Sequence, residues 1–246
     1  MKKSYKVLVL LLVLASLYLY LAHAYIYHRI GQGGLKAADV GASFLVGSTS
    51  PETLIYTPLG DSLTAGVGAG DYQNSYPYRL AQDLAGNDKK ILLKNFSYPG
   101  ARTGDLIRDL LGPAIAQKPD IITLLIGTND VHGAVSSRQF EKNYDYILAQ
   151  LTRKTRARIY VIDLPSIGSD SLVWPPFNFY YDWKTEKFNG IIKKLAGKYR
   201  VGYVDLDAPT YQLLKKDGPY YAVDSFHPSA AGYALWARLI YASIHQ

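Results

Sequence analysis

Short apolar runs alternate with longer segments of mixed polarity along most of this chain, and that alternation predicts its architecture. Five short apolar runs, at residues 54–59, 91–96, 121–126, 159–164 and 201–206, follow the pattern of buried strands. Segments with helical spacing of apolar positions lie between and after them, at residues 76–84, 103–111, 137–154, 181–198 and 229–244. A helix in every gap indicates βαβ crossovers and a parallel sheet covered on both faces. The expected fold is therefore α/β: a three-layer α/β/α sandwich on a five-stranded parallel sheet in flavodoxin-like order.

The first 27 residues break the pattern. Residues 7–22 are apolar apart from Ser16, Tyr18 and Tyr20, behind Lys2, Lys3 and Lys6. A secretory signal has such a short apolar core and a small-x-small cleavage site, which Ala22-His23-Ala24 supplies. A membrane anchor needs about 20 apolar residues, reached by extending through Tyr27. Tyr18, Tyr20, Tyr25 and Tyr27 then suit an interfacial belt and the lysines the cytoplasmic side. Either reading puts the rest of the chain outside the cytoplasm. Residues 28–52, with Gly31, Gly33, Gly34, Gly41, Gly47 and Ser48-Thr49-Ser50-Pro51, read as a flexible linker, leaving 53–246 as the folded domain.

Composition narrows the chemistry. Of 246 residues, 48% are hydrophobic and 19% charged, enough apolar material for a sizeable core. The net charge of +7 comes partly from Lys2, Lys3, Lys6 and Arg29 beside the apolar N-terminus. The other cations are scattered and accompany no nucleic-acid motif, so no nucleic-acid partner is expected. The absence of cysteine excludes disulfides, thiol catalysis, thiolate metal sites and a lipid-bearing cysteine anchor. With no His-Glu-x-x-His and no carboxylate cluster, neither a metal nor another cofactor is expected. Gly66-Val67-Gly68-Ala69-Gly70 lacks the lysine of a phosphate loop and the following helix of a dinucleotide fingerprint; it reads as a mobile loop.

Candidate chemistry falls at the strand ends, where open α/β sheets place ligands. Ser62, in Gly60-Asp61-Ser62-Leu63, follows the first run. A serine hydroxyl is a weak nucleophile that needs a base; the plainer reading is a helix cap. Asp224-Ser225-Phe226-His227-Pro228 offers that base, His227, with Asp224 three residues earlier to fix its tautomer, and it also resembles a helix start. His132 is a rival base with no carboxylate so placed. Asn129, in Gly127-Thr128-Asn129-Asp130 after the third run, is a donor for a developing oxyanion or simply a turn residue. Gly100, in Tyr98-Pro99-Gly100-Ala101, presents a backbone N–H or is an ordinary loop glycine. The aromatic stretch containing Trp174, Phe177 and Tyr181, with Tyr221, is the candidate substrate surface; packing within the domain is the plain alternative.

In their order along the chain, Gly60-Asp61-Ser62-Leu63, Gly100, Gly127-Thr128-Asn129-Asp130 and Asp224-x-x-His227 resemble the SGNH hydrolases, the GDSL lipase/esterase family. The resemblance implies a flavodoxin-like sandwich and ester hydrolysis without a cofactor. It further implies Ser62 as nucleophile, His227 as base with Asp224, and an oxyanion hole of Ser62, Gly100 and Asn129. Substrates would be small-molecule, lipid or carbohydrate esters. An acyltransferase, a deacetylase of cell-envelope polysaccharide and a non-catalytic binding module on the same fold are the alternatives.

Overall fold

The computed structural model describes residues 2–31, 35–48, 52–133, 135–166 and 168–245. It begins with α1 (Lys2–Gly31), β1 (Ser43–Gly47), β2 (Thr53–Gly60), α2 (Tyr76–Ala85), β3 (Lys90–Lys94) and β4 (Phe96–Ser97). Next come α3 (Thr103–Asp105), a π-helical turn over Leu106–Leu110, α4 (Leu111–Ala116), β5 (Ile121–Leu125), α5 (Thr128–His132) and α6 (Ser137–Lys154). The chain closes with β6 (Arg158–Ile162), α7 (Phe177–Tyr199), β7 (Gly202–Val204), α8 (Asp207–Leu214) and α9 (Ala230–Ile244).

All five apolar runs are strands. The sheet order is β1-β3-β2-β5-β6-β7, with β4 pairing β2 past the end of β3. Taken in sequence order, the parallel strands lie 2-1-3-4-5, the flavodoxin-like arrangement. The chain moves one way from β2 to β3 and the other way from β3 through β5 and β6 to β7. Right-handed crossovers then put α2 on one face and the α3–α4 segment, α6 and α7 on the other. Accordingly α2 packs on α9, and α6 packs on α7. Every residue of β5 is buried, whereas β3 alternates buried and half-buried positions beside the sheet's edge. Pro58 in β2 sits between the last β3 pairing, at Tyr56, and the β4 pairing that starts at Leu59, so its missing N–H falls in a break of the ladder.

The sheet has seven strands rather than five. The second run divides at Asn95 into β3 and β4. The other addition corrects the reading of residues 28–52 as a linker: α1 continues to Gly31, and Ser43–Gly47 is an antiparallel edge strand on β3. An uncovered edge leaves a row of unpaired backbone groups, and β1, with Phe44, Leu45 and Val46 at its centre, covers that of β3. Gly41 N–H donates to the Asn95 carbonyl (2.7 Å), Ala38 N–H donates to that of Ala65 (2.8 Å), and Phe44 stacks on Tyr72. Of the turn formers in that stretch, Gly33, Gly34, Thr49, Ser50 and Pro51 lie outside the described residues.

Along α1, residues 5–21 expose almost every large apolar side chain, while Ala22 and Ile26 are buried against the domain. Their spacing of i, i+4, continued by half-buried Ile30, makes one stripe along the helix. Tyr25 stacks on Trp174 with ring centroids 5.2 Å apart, the Tyr18 hydroxyl donates to the Pro175 carbonyl (2.6 Å), and Arg29 donates to that of Val223 (2.9 Å).

Candidate active site

The order of strands reverses at β2, whose neighbours are β3 and β4 on one side and β5 on the other. Such a switch point opens a crevice beyond the carboxyl ends of the strands. The loop after β2 carries Ser62, that after β4 carries Gly100, and that after β5 carries Asn129, so adjacent strands deliver three of the predicted residues to one place. The fourth loop, between α8 and α9, brings Asp224 and His227.

Local structure fixes the Ser62 turn tightly. A Cβ on Gly60 would lie 2.1 Å from Thr64 Oγ1 and 2.4 Å from the Leu125 carbonyl oxygen, so only glycine lets the chain leave β2 this close to β5. Asp61 then caps the turn: its Oδ1 accepts the Leu63 N–H (3.0 Å) and its carbonyl accepts the Ala65 N–H (2.9 Å). The helix-cap reading does not hold, because a turn and no helix directly follows β2 among the described residues; Asp61 caps that turn, while the Ser62 hydroxyl points to His227. Burial pushes the Asp61 carboxyl up to about 7, against the opposing Leu63 N–H.

A hydroxyl, an imidazole and a carboxylate stand in series. His227 Nε2 is 2.9 Å from Ser62 Oγ, and Nδ1 is 2.6 Å from Asp224 Oδ2. Asp224 Oδ1 accepts the N–H groups of Phe226 (3.1 Å) and His227 (3.0 Å). All three side chains are buried. Burial raises the Asp224 carboxyl, but the His227 ring and those two N–H groups outweigh it and hold the group below its ordinary range. The ring is held by more than Asp224. Ala222 N–H donates to the His227 carbonyl (2.8 Å), and Ser229 caps α9 two residues on, so the helix-start reading is also true. The glycine-rich stretch packs against this loop instead of standing free as a mobile loop: a Cβ on Gly68 would meet the Pro228 oxygen at 2.5 Å, and the Val67 carbonyl accepts the Tyr233 hydroxyl (2.8 Å).

Opposite the hydroxyl, Gly100 and Asn129 line the same cavity, which has a volume of about 480 Å³. Asn129 Nδ2 donates to the Ala101 carbonyl (3.0 Å), and buried Asp130 accepts the Thr103 N–H (2.9 Å). These two bonds tie α5 to the loop that presents Gly100. His132 also lines the cavity, but Ser62 bonds His227, and both His132 ring nitrogens are buried with no hydrogen-bond partner among the described residues. Its ring lies 4.6 Å from that of Tyr181, and burial, with Lys184 nearby, lowers its pKa to about 4.

The predicted substrate surface is elsewhere. Trp174, Phe177, Tyr181 and Tyr221 do not line the cavity over Ser62. Trp174 stacks on Tyr25, Phe177 faces His23 and Tyr181 packs on His132. The Tyr221 hydroxyl donates to the Leu214 carbonyl (2.6 Å). Aromatic density in sequence signalled a docking face for α1 and for the His227 loop. The apolar wall of the cavity instead comes from Tyr27, Ile30, Leu35, Val67 and Phe226. Tyr27 and Ile30 escaped sequence reading because a helix that is apolar all round hides the stripe that packs.

A doubly wound α/β sandwich whose switch point holds this series defines the SGNH class of hydrolase folds. Residues 59–235 match the GDSL-like lipase/acylhydrolase family, and the chain belongs to it. Among its relatives is the spore germination lipase LipC of Bacillus licheniformis, 27% identical over 205 residues, spanning 74% of this chain and 92% of LipC. The fold is that of the extracellular lipase of Streptomyces rimosus (TM-score 0.63, 18% identity, 77% of this chain and 99% of that one). It is equally that of an acetyl xylan esterase variant from Geobacillus stearothermophilus (TM-score 0.62, 23% identity, 79% and 95%).

Proposed function

We propose that this chain hydrolyses carboxylic esters through an acyl-enzyme on Ser62. The observation that carries the reading is the unbroken series Asp224–His227–Ser62, at 2.6 and 2.9 Å. His227 Nε2 takes the hydroxyl proton as Ser62 Oγ bonds to the ester carbonyl carbon, and the carbonyl π pair moves onto its oxygen. Asp224 holds the imidazole in the right tautomer and faces the imidazolium that forms. The oxyanion is received by the N–H groups of Ser62 and Gly100 and by the Asn129 amide, donors fixed before the substrate arrives. Collapse expels the alkoxide, which takes the proton from His227. Water then repeats the sequence on the acyl-enzyme, its proton passing to His227 and finally to Ser62 Oγ as the acid departs. The apolar wall favours an ester with an acyl chain over a bare acetyl group on a sugar.

The relatives' lipase and esterase activities support a hydrolase of this kind, and the apolar N-terminal helix fits an anchor or signal outside the cytoplasm. A fluorophosphonate tests the mechanism directly. The expected result is a single adduct on Ser62, lost in Ser62→Ala together with ester turnover. Turnover that persists in Ser62→Ala overturns the reading.

A further inference from the structure

The family match begins at residue 59, so α1 lies outside it, yet α1 supplies part of the cavity. Tyr27 and Ile30 line the space above Ser62. Building on the esterase reading above, we infer that α1 stays attached in the working enzyme as a membrane anchor. Its last turns then form the acyl-selecting wall, so that the substrate is an acyl ester of a membrane lipid.

Three observations place the bilayer. First, Tyr5–Ile30 is long and apolar enough to cross a membrane, and residues 5–21 expose their apolar side chains over about 25 Å of helix axis. Second, a hydrocarbon core of about 30 Å starting at Tyr5 ends near Tyr25, where α1 meets the domain through His23 and Tyr25, with the Tyr18 hydroxyl reaching the Pro175 carbonyl from about 10 Å further back along the axis. Third, exposed Trp174, which stacks on Tyr25, is followed by exposed Phe179, Tyr180 and Trp183 on the first turns of α7, and aromatic side chains of this kind settle at the membrane–water boundary. Tyr27 and Ile30 follow within about 9 and 14 Å of Leu21 along the axis. The cavity therefore opens at the height where a lipid ester leaves the bilayer. A cut after Ala24 would remove Ala22 and the Tyr18 contact and leave the wall held by Tyr25, Ile26 and Arg29 alone.

The test uses the full chain in vesicles of phosphatidylglycerol and phosphatidylethanolamine. kcat/KM is measured for 4-nitrophenyl dodecanoate in the bilayer and 4-nitrophenyl acetate in the water. In Tyr27→Ala the dodecanoate-to-acetate ratio is expected to fall about tenfold or more, and Tyr27→Phe, which keeps the ring, is expected to restore it. Because the chain has no cysteine, Tyr25→Cys with Trp174→Cys gives a clean reporter, expected to be joined by a short bismaleimide in the membrane. A chain recovered beginning at Tyr25 overturns the retained anchor, and a pair that does not join overturns the docking of the end of α1 that makes the wall. An unchanged ratio in Tyr27→Ala overturns the wall and leaves the esterase reading standing. Wild-type chain that hydrolyses neither ester overturns the esterase reading, and the substrate assignment with it.

Discussion

The cavity over Ser62 has two walls of different origin. The polar one comes from loops at the ends of adjacent strands, each held by a short hydrogen bond such as Asn129 to Ala101 or His227 to Asp224. The apolar one takes Tyr27 and Ile30 from a helix outside the family match, held by a stripe of buried side chains and ring contacts, and sets them beside Leu35, Val67 and Phe226. Hydrogen-bond geometry tolerates little displacement, as chemistry on a carbonyl requires. Apolar packing is non-directional, so a wall made that way can change without disturbing the polar one. The family's range from lipase to acetyl xylan esterase is what such a division of labour allows.

Substitutions on the polar wall should give the largest effects. Ser62→Ala or His227→Ala is expected to lower kcat by about 10⁴–10⁶-fold with the fold intact, measured as ester turnover beside circular dichroism; an active Ser62→Ala chain breaks the comparison outright. Next, Asn129→Ala should reduce kcat about 10²–10³-fold with little change in KM, the mark of an interaction made in the transition state. A change in KM alone would move Asn129 from oxyanion binding to substrate binding.

The apolar wall should respond in stability before it responds in rate. Ile26→Ala removes a fully buried side chain between α1 and the domain and is expected to loosen that contact by ~2–5 kcal/mol. Partial proteolysis of the detergent-solubilised chain, cutting faster between α1 and β1, reads this out. A proteolysis pattern identical to wild type would mean that α1 is held by something other than its buried stripe.

The smallest effect sharpens the contrast from inside the polar wall. Asp61 has a folded pKa of about 7 against an ordinary 3.8. The folded chain therefore holds a proton that the unfolded chain releases, and stability falls as pH rises through roughly pH 4–7. Asp61→Asn should shrink the loss in melting temperature between pH 5 and pH 8. Asp207, also pushed to about 7 by burial and neighbouring carboxylates, has the same sign and leaves a residual slope. An undiminished difference would show that Asp61 is not the group responsible.

The sequence alone determined the doubly wound sheet, because strand and helix periods are local and the parallel strands β2, β3, β5, β6 and β7 are joined in turn through helices. It also determined the candidate triad, since Ser62 follows a strand and Asp224 precedes His227 by a spacing one carboxylate can bridge. It did not reveal β1, whose apolar Phe44-Leu45-Val46 is a short run between turn formers and pairs on the free edge of β3. Nor did it reveal the wall made by Tyr27 and Ile30, or the true task of Trp174 and Phe177. Those depend on which face of an all-apolar helix meets the domain. Only tertiary packing decides that, because a side chain's burial is set by what arrives from elsewhere in the chain.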